Sequence, residues 1–165
     1  MMIEPLEPHH WPEVRAIYGE GIATGNATFE ENAPEWDTWN RKHHAHSRLV
    51  AIDGDSLAGW AALSPVSVRH VYRGVAEVSI YIAQGARGKG VGRALLQRLI
   101  EVSEENGIWT LQAAIFPENE ASLRLHHGAG FRTLGERERI GCLKGRWRST
   151  VQLERRSKVV GVTAE

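Results

Sequence analysis

The chain is poor in cysteine and lacks a long run of apolar residues. Its single cysteine, Cys142, cannot form an intramolecular disulfide, and one thiol excludes a cysteine-based metal cluster. No stretch approaches the roughly 18 consecutive apolar residues of a membrane span. The first ten residues hold two glutamates and two prolines instead of a basic, apolar leader. We therefore expect a cytoplasmic protein with no membrane partner.

Net charge is also absent. The chain has 20 lysines and arginines and 20 aspartates and glutamates, whereas a nucleic-acid-binding protein needs a basic surface that neutralises phosphates. We expect no nucleic-acid partner. The 165 residues, 42% of them hydrophobic, suit one compact core. We expect a single domain over residues 1–155 and a C-terminal tail over residues 156–165, with the basic residues 155–158 frayed and solvated.

Hydrophobic spacing predicts interleaved helices and strands. The strand at 75–83, richest in β-branched and apolar residues, is expected at the centre of a mixed α/β sheet. From it, one parallel crossover should run through a long helix to the next strand, while the other strands pair mostly antiparallel. The expected strands are 1–7, 48–52, 57–63, 75–83, 109–115, 131–140 and 147–153, and the expected helices are 11–21, 34–46, 91–105 and 119–127.

Glycines crowd the junction between the central strand and the long helix. Residues 84–92 read Gln-Gly-Ala-Arg-Gly-Lys-Gly-Val-Gly. At the start of a helix the backbone N–H groups are free and the helix dipole favours an anion, and glycines let phosphate oxygens approach the backbone. Arg87, Lys89 and Arg93 add positive charge. The pattern predicts a pyrophosphate site, and a glycine-rich turn without a ligand is the alternative.

Spacing excludes two common nucleotide loops here. A Walker A loop has Ser or Thr after its Gly-Lys pair, but Gly90 follows Lys89. A dinucleotide fingerprint needs Gly-x-Gly-x-x-Gly, but Arg93 stands three residues after Gly90. The turn has instead the pattern Arg-x-x-Gly-x-Gly, formed by Arg87, Gly90 and Gly92.

This turn resembles the acetyl-CoA pyrophosphate loop of the GCN5-related N-acetyltransferase (GNAT) superfamily. Further segments occur in the order found in one branch, the phosphinothricin, methionine sulfoximine/sulfone and arsinothricin acetyltransferases. The resemblance spans about residues 3–155, and one departure is Ser149, where many relatives carry Asp. The segments are Thr28-Phe29-Glu30, residues 76–82, residues 119–126, Gly130-Phe131 and Gly145-Arg146-Trp147.

The resemblance implies an α/β (α+β) GNAT fold, with a mixed, mostly antiparallel central sheet, about four flanking helices and splayed central strands that hold acetyl-CoA. It implies an acetyl-CoA-dependent N-acetyltransferase that acts on the α-amino group of a small amino-acid analogue. Transfer would be direct within a ternary complex, with detoxification as the result, and the protein would be a homodimer. The alternatives are an acetyltransferase for a protein N-terminus or a polyamine, and a non-catalytic acyl-CoA-binding module.

Acetyl transfer to an ammonium group needs a base, because only the neutral amine attacks a thioester. Glu77 is the first candidate, since its apolar neighbours on the central strand would raise its carboxyl pKa. A solvated glutamate on a strand face is the alternative. His126 is the second candidate, because a His or Tyr at this point in relatives lies near the CoA sulfur and imidazole gains or loses a proton near neutral pH. A polar helix end is the alternative for His126.

By resemblance, the remaining site residues divide between cosubstrate and acceptor. Asn119 would hydrogen-bond the pantetheine arm, although capping of its helix alone would also explain an Asn there. Phe29, Arg69 and Tyr72, together with Glu77, would line the acceptor site. The other residues that would bind acetyl-CoA are Ile80, Tyr81, Ile82, Arg87, Gly88, Lys89, Gly90, Val91, Gly92 and Ser122.

Three histidines, His43, His44 and His46, stand at the end of the second predicted helix. No carboxylate or thiol lies at ligand spacing from them, so we expect a solvated helix end and no metal. The tryptophans of the first two helices stand at helical spacing and are expected in the core or at an interface.

Overall fold

The computed structural model describes residues 1–164. Helices and strands are interleaved along this part of the chain. None of its helices is long and apolar enough to cross a membrane. The strands are β1 (Met2–Pro5), β2 (Arg48–Asp53), β3 (Ser56–Pro65), β4 (Val75–Ile82), β5 (Thr110–Ile115), β6 (Arg132–Leu143) and β7 (Arg146–Arg156). The α-helices are α1 (Trp11–Ala23), α2 (Trp36–Lys42), α3 (Val91–Glu105) and α4 (Glu120–Gly128).

The seven strands of residues 1–164 form one sheet in the order β1-β2-β3-β4-β5-β7-β6. Neighbouring strands are antiparallel except β4 and β5, which are parallel and connected through α3. The predicted mixed sheet with one parallel crossover is therefore confirmed. β4 and β5 pair only where Val75–Glu77 faces Thr110–Gln112. Beyond these positions the two strands separate, which opens a cleft in the middle of the sheet.

Helices cover both faces of the sheet, and each face has its own apolar core. On one face, α3 buries Leu95, Leu96 and Leu99 completely. On the other face, α1 and α2 cover the strands on the β4 side of the cleft, where Trp39 and Trp60 are buried. Burial of one such large apolar side chain contributes roughly 1.5–3 kcal/mol relative to its exposure. The two cores hold the edges of the cleft in place.

The second helix ends at Lys42, short of the predicted residue 46. Beyond its end, the buried guanidinium of Arg48 on β2 donates to the carbonyl oxygens of His43 at 3.1 Å and His44 at 2.7 Å. These bonds replace the helical ones, because a side chain of the next strand satisfies carbonyls that would otherwise need helical N–H donors. The expectation of a solvated helix end is wrong for His43, whose ring stacks on Trp39 at 4.2 Å.

The end of β7 packs against α3. The Arg155 guanidinium and the Ser157 hydroxyl each lie 3.0 Å from Oε1 of Glu104, and Ser157 is buried. The expectation of frayed, solvated residues is therefore wrong for Arg155 and Ser157, because the partner carboxylate comes from a helix 51 residues away along the chain. The division of the chain into a domain and a tail after residue 155 stays a prediction.

Candidate active site

A cavity of about 520 Å³ occupies the cleft between β4 and β5. Residues 77–81 of β4 form one wall and residues 113–115 of β5 form the opposite wall. The start of α4 and the loop after α1 close its sides. The sequence-predicted site residues that line this cavity are Phe29, Glu77, Ile80, Tyr81, Asn119, Ser122 and His126.

The separation of the strands exposes backbone as well as side chains. Over the described chain, β4 keeps its β3 partner as far as Ile82 but has no β5 partner beyond Glu77. The N–H and C=O groups of residues 78–82 that face the cleft are therefore available to a ligand lying along the strand. An N–H group in this position is the type of donor that polarises a carbonyl oxygen in acyl transfer.

Glu77 stands at the point where the two strands part, between Ser64 of β3 and Gln112 of β5. Solvent reaches its side chain through the open cavity, but the surrounding walls still remove part of its hydration. This partial burial raises the pKa of the Glu77 carboxyl, and the positive charge of Arg137 opposes the rise. A raised pKa makes the carboxylate a better proton acceptor near neutral pH.

His126 is almost fully buried on α4, with 2% of its surface exposed. Its Nδ1 donates to the carbonyl oxygen of Ser122 at 2.8 Å, and its ring packs edge-on against Phe131. Burial lowers the pKa of His126, so the ring is neutral at neutral pH and its proton sits on Nδ1. No described residue hydrogen-bonds to Nε2, which is left as a proton acceptor. The geometry thus favours proton uptake over donation by this ring.

Tyr81 forms the inner wall of the cavity within an aromatic stack. Its ring lies 4.9 Å from that of Trp60 and 4.7 Å from that of Tyr18. Burial, with a smaller contribution from Tyr18, raises the pKa of the Tyr81 phenol far above its ordinary value, so the group stays neutral. Gly21 of α1 allows this arrangement, since a Cβ atom there would lie 2.6 Å from the Tyr81 ring.

Arg148 holds the loop that carries Phe29. It is 5% exposed, and it donates to the carbonyl oxygen of Gly25 at 2.7 Å and to Oδ1 of Asn26 at 2.8 Å. Its guanidinium carbon also lies 4.1 Å from the ring centroid of Phe116, against which Phe29 packs edge-on. One buried side chain of β7 therefore fixes the position of the loop over the cavity.

Asn119 has the capping role that the sequence left open. Its Oδ1 accepts from the Ser122 backbone N–H at 3.2 Å, and its Nδ2 donates to the Asn26 carbonyl at 3.2 Å. Capping alone thus explains an Asn at this position, while its place on the cavity wall leaves the predicted pantetheine contact untested.

The glycine turn lies between the end of β4 and α3. Gly88 and Gly90 have positive φ angles of 75° and 83°, a region that glycine occupies without strain. Within residues 1–164 no side chain caps the first turn of α3, so its N–H groups remain free beside the exposed Arg87 and Lys89. Val91 instead packs into the core. The turn has the free donors and the charge that a pyrophosphate needs.

Other predicted residues stand apart from the cavity. Arg69 and Tyr72 lie at an exposed short turn before β4, with the Arg69 guanidinium 5.6 Å from the Tyr72 ring centroid. Neither lines the cavity, and their role in acceptor binding stays a prediction. Ile82 and Gly92 lie just beyond the cavity wall, where they are packed near Leu125 of α4.

Two residues near the site were not found from sequence. They are Arg148, which holds the loop over the cavity, and Arg137, whose charge acts on Glu77. The many charged residues of β6 and β7 gave no signal for either arginine. Only the pairing of these strands and the approach of the early loop show which arginine is buried and which acts on Glu77. Among residues 1–164 no cluster of metal-ligating side chains is present.

The model of the acetyltransferase (GNAT) family matches residues 11–131, which is more than half of the chain. The chain belongs to this family. As the sequence predicts, it is an N-acetyltransferase, and its separated central strands and glycine turn are the expected features of the fold.

Individual relatives agree with this assignment. The acetyltransferase is 39% identical over 152 residues to the phosphinothricin N-acetyltransferase of Alcaligenes faecalis, a match covering 87% of this chain and 76% of the relative. It is 35% identical over 144 residues to the L-methionine sulfoximine/L-methionine sulfone acetyltransferase of Pseudomonas aeruginosa, covering 82% of this chain and 83% of the relative.

A solved structure confirms the fold. The GNAT-superfamily phosphinothricin acetyltransferase from Sinorhizobium meliloti, in complex with acetyl-CoA, matches the acetyltransferase with a TM-score of 0.88 at 29% identity. The match covers 99% of this chain and 91% of that chain. The predicted α/β GNAT fold is therefore confirmed over nearly the whole molecule.

Proposed function

We propose that this acetyltransferase moves the acetyl group of acetyl-CoA directly to the α-amino group of a small amino-acid analogue, within a ternary complex. The observation that carries the proposal is the meeting of Glu77 and His126 in one cavity, where the central strands separate. The names of the relatives from Alcaligenes faecalis and Pseudomonas aeruginosa, which specify phosphinothricin and methionine sulfoximine or sulfone, support this acceptor class.

The chain offers distinct groups for the two ends of acetyl-CoA. The free N–H groups at the start of α3, with Arg87 and Lys89, would hold the pyrophosphate. The unpaired edge of β4 would hydrogen-bond the pantetheine arm and polarise the thioester carbonyl. The solved Sinorhizobium meliloti relative, which contains acetyl-CoA, supports this choice of cosubstrate.

The proton transfers follow from the two candidate groups. The acceptor ammonium loses one proton to Glu77, directly or through water, and the neutral nitrogen then bonds to the thioester carbonyl carbon. As the C–N bond forms, the C–S bond breaks and the CoA thiolate leaves. The nitrogen loses its second proton, which ends on the thiolate. His126 would relay this proton through Nε2, and its Nδ1–H bond to the Ser122 carbonyl supports this, because it leaves Nε2 as the proton acceptor. Cys142 is exposed on β6 outside the cavity, which supports transfer without a covalent cysteine intermediate.

The proposed result is detoxification in the cytoplasm. Acetylation removes the positive charge that an amino-acid mimic presents to its target, so the product would no longer be recognised as an amino acid.

We also propose that the acetyltransferase works as a homodimer. β6 is an edge strand, and Leu134, Ile140 and Trp147 on the β6–β7 hairpin are each at least half exposed. An edge strand with exposed apolar side chains favours pairing with a second copy across a two-fold axis. Sedimentation equilibrium should give twice the chain mass, and a monomer at all concentrations would contradict this.

The acceptor class is tested by CoA thiol release. We expect release with phosphinothricin, L-methionine sulfoximine, L-methionine sulfone or arsinothricin that depends on both acetyl-CoA and the acceptor, with plain amino acids and polyamines as comparison substrates. Release with polyamines alone would replace the proposed acceptor class. Tight acetyl-CoA binding without release on any amine would show a binding module instead of an enzyme.

A further inference from the structure

Glu77 also lines a second, smaller cavity of about 300 Å³. Its other walls come from β5, β6 and β7, the three strands on the far side of the cleft. This volume is at the lower end of the range for small-ligand pockets. Any ligand group in this smaller cavity therefore lies beside the proposed catalytic base. The remaining lining residues are Gln112, Ala113, Leu134, Gly135, Glu136, Arg137, Gln152 and Leu153.

Arg137 supplies the positive charge in the smaller cavity. It lies between two irregularities of β6, where the register against β7 shifts at residues 133–135 and again at 137–141. Such bulges redirect side chains and recur next to active sites. The amide oxygen of Gln152 on β7, in the orientation that satisfies both groups, accepts from Arg137 Nε at 3.2 Å and Nη1 at 3.3 Å. Gln152 thus holds the guanidinium without neutralising it.

The lining of the smaller cavity therefore carries a negative charge and a positive charge at separate positions. Glu77 carries the negative charge, and Arg137 is close enough to lower the Glu77 pKa against the effect of burial. Glu136 also lines the cavity, but consecutive strand residues point to opposite faces, so its carboxylate is not expected to converge with the Arg137 guanidinium. An α-amino acid has the matching pair of charges, since its ammonium and carboxylate are attached to one carbon.

We propose that Arg137, oriented by Gln152, binds the carboxylate of the acceptor amino acid and thereby places the α-amino group at Glu77. This proposal rests on the proposed amino-acid acceptor and adds the residue that would recognise it. A guanidinium pairs with a carboxylate through two parallel hydrogen bonds, which fixes orientation as well as charge. Arg69, the sequence-predicted acceptor residue, lies outside both cavities in the isolated chain.

The test compares an acceptor with its carboxylate-free counterpart. For Arg137→Gln, we expect the KM for L-methionine sulfone to rise about tenfold to a hundredfold, since a charged hydrogen-bonding partner is lost. The KM for its decarboxylated amine, methylsulfonylpropylamine, should change little, as should the KM for acetyl-CoA. Assays belong at mildly alkaline pH, where Glu77 is ionised in both proteins. Arg137→Lys should restore part of the preference for L-methionine sulfone over methylsulfonylpropylamine.

Arg132→Gln is the matched control, because Arg132 lies on the same strand, outside the cavity, and pairs with Glu154 at 2.6 Å. Arg132→Gln should leave the KM for L-methionine sulfone and the KM for methylsulfonylpropylamine unchanged. Equal losses with the two acceptors in Arg137→Gln, or no loss with either, would overturn the subsite. Failure of the proposed function would look different, because the unaltered protein would then release no thiol with any amino acid.

Discussion

At Glu77, the proposed activity needs the ionised carboxylate, whereas the stability of the fold is higher with the protonated one. Its pKa in the folded protein is raised above the 4.5 of an ordinary glutamate. Protonated Glu77 therefore contributes stability that is complete below that value and is lost as the pH rises through the folded pKa. At neutral and alkaline pH, where the base must be ionised to work, the carboxylate weakens the fold.

Replacement of Glu77 by Gln should separate these effects. We expect thiol release to fall about 10²–10⁴-fold, the usual contribution of a general base, while acetyl-CoA binding is kept. The urea midpoint of unfolding at mildly alkaline pH should rise, because an ionised, partly desolvated group has been removed.

Glu138→Gln, at an exposed position of β6 outside both cavities, is the control and should change neither quantity. Full thiol release in the Glu77 variant would remove Glu77 as the base. An unchanged or lower urea midpoint would contradict the stability argument.

Single residues differ in how far the sequence predicts them. Glu77 and His126 were found because their places relative to the glycine turn and the Asn119 helix are local and follow from the resemblance. Arg137 and Arg148 were not, because both lie among alternating charges on the last two strands. Arg148 becomes a buried anchor only when residues 25–26 reach it from more than 120 residues away along the chain.

Among the elements, α1 carries two glycines that should respond oppositely to the same change. A Cβ atom at Gly21 would lie 2.6 Å from the Tyr81 ring, whereas at Gly19 no atom of residues 1–164 outside the local helix would lie within 4 Å. Gly21→Ala should destabilise by about 1–3 kcal/mol through overpacking and should raise the KM for acetyl-CoA by displacing Tyr81.

Gly19→Ala is the matched control on the same helix. It should stabilise by about 0.4–1 kcal/mol, because alanine loses less backbone entropy on folding. Urea unfolding of both variants measures the difference, and equal effects would show that α1 does not rely on a close approach at Gly21.

The elements themselves were largely predictable, but their ends were not. The bounds of strands β2 to β5 agree within a few residues with the apolar runs that predict them. This is because a buried strand has a hydrophobic pattern in its own sequence. The end of α2 depends on Arg48, a residue of the following strand that binds the carbonyls of His43 and His44. The spacing of apolar residues does not show that a neighbouring side chain will bind these carbonyls.

For the whole molecule, burial of histidines predicts sensitivity to acid. His43, His44, His46 and His126 all have pKa values lowered from the ordinary 6.5, in each case mainly by desolvation. The stability that their neutral forms contribute is complete above 6.5 and is lost as the pH falls through the lowered values. Protonation of Glu77 stabilises the fold as the pH falls, but this one group opposes four histidines.

We therefore expect the urea midpoint to fall steadily as the pH is lowered from about 7 to about 5, before most carboxylates titrate. His126→Gln should reduce the slope of this decline even if it lowers the midpoint at pH 7. A midpoint that stays constant over this range would contradict the prediction.

At this scale the sequence predicted most of the architecture. The crossover from β4 through α3 to β5 and the antiparallel remainder follow from element order and chain handedness. The extent of the β4–β5 separation does not follow, since the spacing of apolar residues continues unchanged through both strands. The ladder stops after Glu77, and its extent is a property of the assembled sheet.

The short pairing between β4 and β5 divides the sheet into two blades that share the core under α3 but few direct backbone hydrogen bonds. One blade consists of β1 to β4 and the other of β5, β7 and β6. Their ladder is confined to Val75–Glu77 and Thr110–Gln112, and beside it the N–H groups of Trp109 and Thr110 donate to the Gly74 carbonyl. A pantetheine arm along the free edge of β4 would serve as a temporary eighth strand and brace the blades against each other. Since Glu77 is the last residue of β4 that pairs with β5, cosubstrate loading would also steady the proposed catalytic carboxylate before the acceptor arrives.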